Sequence, residues 1–230
     1  MTKALAHANA RLDTRGFALA AVALAWCLGL IAVRVLRTSS PHFLFLIWNL
    51  FLACLPLAFS RTLELLRRRG ASTWTRGALF CLWLLFLPNA PYIVTDLVHV
   101  APLTGPLSWY DSGMVLSCAS AGLLVGYLSL RDMQRLVEHR FGDMAGWSLV
   151  ACASMLSGFG VYLGRVQRWN SWDIVTDPVA LFRAITDVLV KAQSHPHTYV
   201  ITLLFGGGLL LGYGALHYLT AAERNAERLD

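Results

Sequence analysis

Hydrophobic positions along the chain fall into six long runs, 17–36, 43–59, 78–97, 114–130, 146–164 and 199–219. Crossing the hydrocarbon of a bilayer takes about 20 apolar residues as a helix, with a range of roughly 17–25. Only a helix or a closed barrel satisfies its own backbone groups there. The pattern predicts an all-α polytopic membrane bundle of six transmembrane helices, with the membrane domain at 17–219 between a flanking segment 1–16 and a tail 220–230. One connection, 165–198, is long enough to hold an element of its own. Asp177-Pro178 is a helix start, with Asp as cap and Pro in the first position. After it, Phe182, Ile185, Leu189 and Ala192 recur at three- and four-residue spacing. Arg183, Asp187 and Lys191 lie elsewhere around the helix, while Val188 and Val190 widen its apolar arc. At ~1.5 Å per residue, 178–192 would be about 22 Å long, too short to span. It is predicted to be an external amphipathic helix lying in the membrane interface.

The composition agrees with this pattern. Of 230 residues, 57% are hydrophobic and 14% charged, where a soluble domain has about a quarter charged. A formal charge of +6 would suggest nucleic acid, but its placement follows the bias that orients membrane proteins. The N-terminus, the connections after spans two and four and the C-terminus carry thirteen Lys and Arg, and the other side carries six. Both termini are therefore expected in the cytoplasm, with 98–113 and 165–198 outside, and Arg67-Arg68-Arg69 reads as a topology determinant. The first run follows Arg11 and Arg15 like a signal peptide, but it is too long, and no small-x-small site precedes Arg34. It is read as an uncleaved span. Cys27, Cys54, Cys81, Cys118 and Cys152 fall one in each of the first five spans, so packing is expected of them rather than a disulfide framework. Small residues four apart, at Ser154/Gly158, Gly160/Gly164, Gly122/Gly126 and Gly208/Gly212, allow close helix approach in lipid.

Polar side chains inside spans are costly and by default suggest function. Asn49 and Asn89 sit within spans two and three. Asp96 and His99 follow at the external end of span three, then Tyr110 and Asp111 before span four. Arg165, Arg168, Trp169, Asn170 and Asp173 follow span five. All fall in the outer half. Asn89, Tyr92, Asp96 and His99 are spaced by three, four and three, which is one helix face. Tyr162, Arg165, Trp169 and Trp172 form a second such stripe, and an Asp96–Arg165 pair is expected across the cleft. Pro88 and Pro91 free the carbonyls of Leu84 and Leu87, which Asn89 or Asn49 can reach. A simple proline kink and a break lining a cavity both fit. The tryptophans also fit an aromatic belt, and the arginines fit snorkelling to headgroups. Asp96, His99, Asp111 and the His195/His197 pair fall short of a zinc signature, so no metal is assigned. There is no phosphate-binding Gly loop or nucleophile elbow, and the cofactor stays unknown.

With LPNAPYIVTDLVH, WYDSGMVLS, GYLSL and GFGVYLGRVQRWNSWDI in view, the chain resembles the bacterial multi-pass membrane proteins grouped as domain of unknown function thirteen-sixty-one. The resemblance covers roughly 40–220. It implies an integral protein of the bacterial inner membrane and supplies no activity, substrate or catalytic residue. Three functions stay open from the residues. One is an outward-facing polar site for a lipid or small anionic ligand, involving spans two, three and five. The second is a membrane-embedded enzyme acting on a lipid or envelope precursor, with Asp96 or His99 as acid or base. The third is an accessory subunit that binds a partner protein. Partners expected are the bilayer and such a ligand, with an oligomer or partner subunit also open and nucleic acid excluded.

Overall fold

The computed structural model describes the backbone of residues 2–99, 107–190 and 196–226. It is all-α over these residues. The helices are α1 (Thr2–Thr38), α2 (Phe45–Arg68), α3 (Thr73–Phe86), the short α4 (Asn89–Tyr92), α5 (Ser108–Phe141), α6 (Asp143–Arg165), the short α7 (Asp173–Thr176), α8 (Pro178–Val190) and α9 (Pro196–Ala226). A 3₁₀ segment, Ile93–His99, continues α4. Six helical stretches are long and apolar enough to cross a membrane: Thr14–Thr38, Phe45–Arg68, Thr73–Val98, Ser108–Phe141, Asp143–Arg165 and His197–Ala221. They coincide with the six predicted runs. The described parts of the expected flanking segments, 2–16 and 220–226, are helical too, since α1 starts at Thr2 and α9 runs on to Ala226.

The spans divide into a centre and a periphery. In α5, 61% of the apolar window is buried, against 17% in the first and last spans. Leu19, Val22 and Trp26 on α1 and Leu203, Leu204 and Leu211 on α9 are exposed, as faces turned to lipid must be. Lipid is as apolar as leucine, so helix association here rests on close packing and interhelical hydrogen bonds. One packed cluster joins α1, α2, the 3₁₀ segment and α5 through Ile31, Leu46, Ala53, Ile93 and Val115. A second joins α3, α5, α6 and α9 through Trp83, Leu130, Met133, Val150 and Leu209. Trp83 Nε1 donates to Ser129 Oγ at 3.3 Å, a buried polar tie from α3 to α5.

Glycines set the closest approaches. A Cβ on Gly126 would stand 2.7 Å from Ala90 Cβ, and one on Gly122 would stand 3.1 Å from the Ala90 carbonyl. This face of α5 therefore receives α4. On α6, Gly160 faces Pro88 and Gly164 faces the Tyr92 ring, so the broken third span lies in a trough of small residues. Gly158 meets Gly206 where α6 crosses α9, the most extensive helix pair in the bundle. Of the expected Gly208/Gly212 pair, Gly212 is a close approach, facing the Tyr127 ring of α5, whereas Gly208 has open space around it and Gly206 takes the crossing with α6. Gly142, at φ +86, lets α5 stop and α6 start across one residue.

The helix expected after Asp177 forms over Pro178–Val190, with its cap, and residues 191 and 192 of the expected range lie outside the described residues. Asp177 Oδ1 accepts from Ala180 N at 3.1 Å, satisfying one of the free first-turn N–H groups. Its inward face differs by one position from the expected one. Leu181, Ile185 and Val188 turn to the bundle, while Phe182 is 70% exposed. The apolar arc is too wide for spacing alone to choose, and the bundle contact selects the 181/185/188 row. Leu189 and Ala192 lie outside the described side chains.

Candidate functional site

The site begins at the break in span three. Pro88 and Pro91 have no N–H, and the chain responds by tightening. Ala90 N donates to Leu87 O at 3.1 Å in a three-residue turn, which leaves Phe86 O without its usual partner. Asn89 Nδ2 takes that carbonyl at 2.8 Å. The same amide donates to Ser171 Oγ at 3.2 Å, and Ser171 Oγ reaches Leu85 O at a long 3.5 Å. Asn89 thus does the expected work, on Phe86 rather than on Leu84 or Leu87, because the tight turn supplies Leu87 from within.

The 3₁₀ winding has a further effect. At three residues per turn, Tyr92 and Asp96 no longer share a face, so the expected stripe of four divides. Tyr92 turns its ring to Gly164 of α6, and its carbonyl accepts from Thr95 Oγ1 at 2.6 Å. Asp96 turns inward and is 2% exposed. Asn49 Nδ2 donates to Asp96 Oδ2 at 2.7 Å, and Arg165 Nη1 lies 3.5 Å from Asp96 Oδ1. Spans two, three and five are thereby tied by one charged knot. His99 lies at the end of the 3₁₀ segment, and its side chain is outside the described residues.

Asp111 belongs to a different pair. Arg34 from α1 grips it with two nitrogens, Nη2 reaching Oδ2 at 3.0 Å, and also donates to Thr38 Oγ1 at 2.6 Å. Tyr110 beside it donates to Leu30 O at 2.7 Å. Tyr110 and Asp111 therefore anchor α1 to α5. Their partner Arg34 was legible as an arginine near the end of span one, and a charge at that depth needs an anion.

The second predicted stripe also divides, because α6 ends at Arg165 and Arg168 adopts φ +63. Tyr162 is buried, with Gln167 Nε2 donating to its hydroxyl at 3.4 Å. Arg168 and Asn170 are exposed and Trp169 is half-buried. Asp173 acts locally, accepting from Asn170 N at 2.7 Å and from Thr176 Oγ1 at 3.1 Å.

Beside the break lies a cavity of about 740 Å³. Leu84, Leu85 and Pro88 form one wall, and residues of α6 and α9 form others. Trp169, Asn170 and Ser171 lie at its edge, and Ile174, Leu181, Ile185 and Val188 of α7 and α8 cover it. The lining is mostly apolar. Thr198 and Thr202 also line it, and their buried hydroxyls have no hydrogen-bond partner among the described residues. Thr198 is only 5% exposed. Of the predicted site residues whose side chains are described, Trp169 and Asn170 alone line this space. Sequence reasoning did not single out Ser171 or Thr198, and it had a cavity lined by the broken span as one of two readings; Pro88 of the break does line this one. Among the described residues no group of His, Cys, Asp and Glu is arranged to hold a metal.

Residues 48–211 match the family described as Protein of unknown function (DUF1361). The chain belongs to this family. The DUF1361 match holds the whole Asn49–Asp96–Arg165 knot and every residue lining the cavity, and it leaves out α1 with Arg34. No curated protein and no solved structure matches the chain.

Proposed function

We propose that this DUF1361 protein binds an amphiphile with a hydrocarbon tail, at the end of the bundle facing away from the cytoplasm of a bacterial inner membrane. The observation that carries the reading is the cavity of about 740 Å³ with apolar walls, a polar edge at Asn170 and Ser171, and a cover made by the interfacial helix. Small-molecule sites are usually cavities of roughly 300–1,000 Å³, largely apolar with a few placed polar groups. A hydrocarbon tail suits the leucines and Phe159. The hydroxyls of Thr198 and Thr202, which have no hydrogen-bond partner among the described residues, suit an ester or hydroxyl within the ligand, since buried polar groups are normally paired. Arg168, exposed beside Trp169, suits an anionic head.

In this reading Asn49, Asp96 and Arg165 hold the broken span in place and do not touch the ligand. Asp96 is 2% exposed and engaged by an amide and a guanidinium, which gives an acid or base role for it no support. The test is native mass spectrometry and lipid extraction of protein purified in mild detergent. One lipid class should be retained well above its share of the membrane. Ile185→Trp and Leu156→Trp, which fill the cavity, should lose it while keeping the melting temperature. Retention of bulk lipid by wild type and variants alike would end the proposal. So would a stoichiometric protein partner on this face with no lipid bound.

A further inference from the structure

At the opposite, arginine-rich end of the bundle there is a second cleft of about 500 Å³, between α1, α5 and α9. It is distinct from the first in chemistry. Arg15, Arg131 and Arg135 line it together with one carboxylate, Glu138, while Leu19, Leu124, Leu128 and Leu216 supply an apolar side. Arg131 Nη2 passes 3.7 Å from where a Cβ on Gly16 would stand, so this guanidinium lies against α1 and closes that edge. Gln134, buried at 1% exposure, is held from both ends. The Tyr213 hydroxyl donates to its Oε1, and its Nε2 donates to Glu138 Oε1 at 2.6 Å. Glu138 is thus engaged from within the protein. The other carboxylate of this turn, Asp132, is paired with Arg61 at 2.7 Å.

We infer that this cleft binds the phosphate of an anionic phospholipid, with the acyl chains along its leucine side. Three guanidiniums against one carboxylate leave positive charge in excess among the described lining residues. Arg131 and Arg135 make contacts within the protein, but a guanidinium carries five N–H donors and can serve a phosphate as well. Arginine's planar fork matches phosphate oxygens bidentately. Basic pockets between spans at the cytoplasmic end are a recognised form of lipid headgroup site, and the thirteen-to-six bias predicts that this end is cytoplasmic. A free phosphate ion would need the guanidiniums alone, and the leucines beside them favour a lipid as the source. The site lies at the other end of the molecule from the α7–α8 cavity and does not depend on it.

The test is titration of the full chain in neutral detergent with phosphatidylglycerol and with phosphatidylcholine of the same chains, read by native mass spectrometry. Phosphatidylglycerol should bind about tenfold tighter, because both lipids offer a phosphate but the choline cation of the second is repelled by the guanidiniums. Arg131→Gln/Arg135→Gln should abolish that preference. Arg15→Gln changes an exposed side chain at the cleft and should weaken phosphatidylglycerol binding about threefold, as for a more solvated contact. Inorganic phosphate should displace the lipid only weakly. Equal affinity for the two lipids overturns the inference, as does a preference unchanged in both variants. Inorganic phosphate binding as tightly as phosphatidylglycerol would overturn the lipid assignment.

Discussion

Replacing Arg165 with Gln should cost more stability than replacing its partner Asp96 with Asn, and the difference follows from burial. Asp96 is 2% exposed and the Arg165 side chain 26%. Arg165→Gln leaves a carboxylate deep among helices without its cation. Breaking one side of a fully buried pair costs ~3–5 kcal/mol, and the amide of Asn49 at 2.7 Å offsets part of that, so about 3 kcal/mol is expected. Asp96→Asn leaves the guanidinium instead, and with a quarter of its surface wet it can turn to water. A surface pair is worth ~0–1 kcal/mol, so an intermediate loss of about 2 kcal/mol is expected. The double variant removes both charges and should be less destabilised than the sum, with a coupling of roughly 1–3 kcal/mol. The assay is thermal unfolding of purified protein in detergent, followed by tryptophan fluorescence and monodispersity, for the four members of the cycle. Additive losses would refute a direct Asp96–Arg165 interaction. A larger loss from Asp96→Asn than from Arg165→Gln would refute the burial argument.

Two further expectations concern packing and orientation. Gly126→Ala places a methyl 2.7 Å from Ala90 Cβ and should destabilise by about 1–3 kcal/mol through overpacking, whereas Gly208→Ala, with nothing within 4 Å, should change the melting temperature little; equal effects would count against the trough that receives α4. Reporter fusions at residue 105 and at the C-terminus should lie on opposite sides of the membrane, and the same side for both would reject six spans with cytoplasmic termini.

The spans were legible because hydropathy is additive along the chain and needs no knowledge of neighbours. The cap at Asp177 was legible for the same reason, since its partner Ala180 is three residues away. Pairing between spans is another matter. Asp96 and Arg165 share a depth, and that was enough to suggest they meet. Asp111 has the same depth and goes to Arg34, because α5 packs directly on α1, and helix order does not follow from depth. The Asn89–Tyr92–Asp96 stripe failed because two prolines changed the winding from α to 3₁₀, which shifts each later residue around the axis. The cavity was the least legible feature. Its walls come from five separate elements, and a void is a property of their mutual placement.

The hydroxyl of Ser171 ties the α7–α8 cover to the third span, and what it grips is main chain. Its acceptor is the Leu85 carbonyl, and the neighbouring amide of Asn89 grips the carbonyl of Phe86. Substitution at Leu85 or Phe86 therefore leaves both acceptors in place, and this latch can be undone genetically only at Asn89 or Ser171. Lifting the cover must part Ser171 from Asn89 and Leu85 at a net cost of about 1 kcal/mol per hydrogen bond. The proline break thus gives the roof a fastening point that an unbroken helix, with its carbonyls already spent, does not offer.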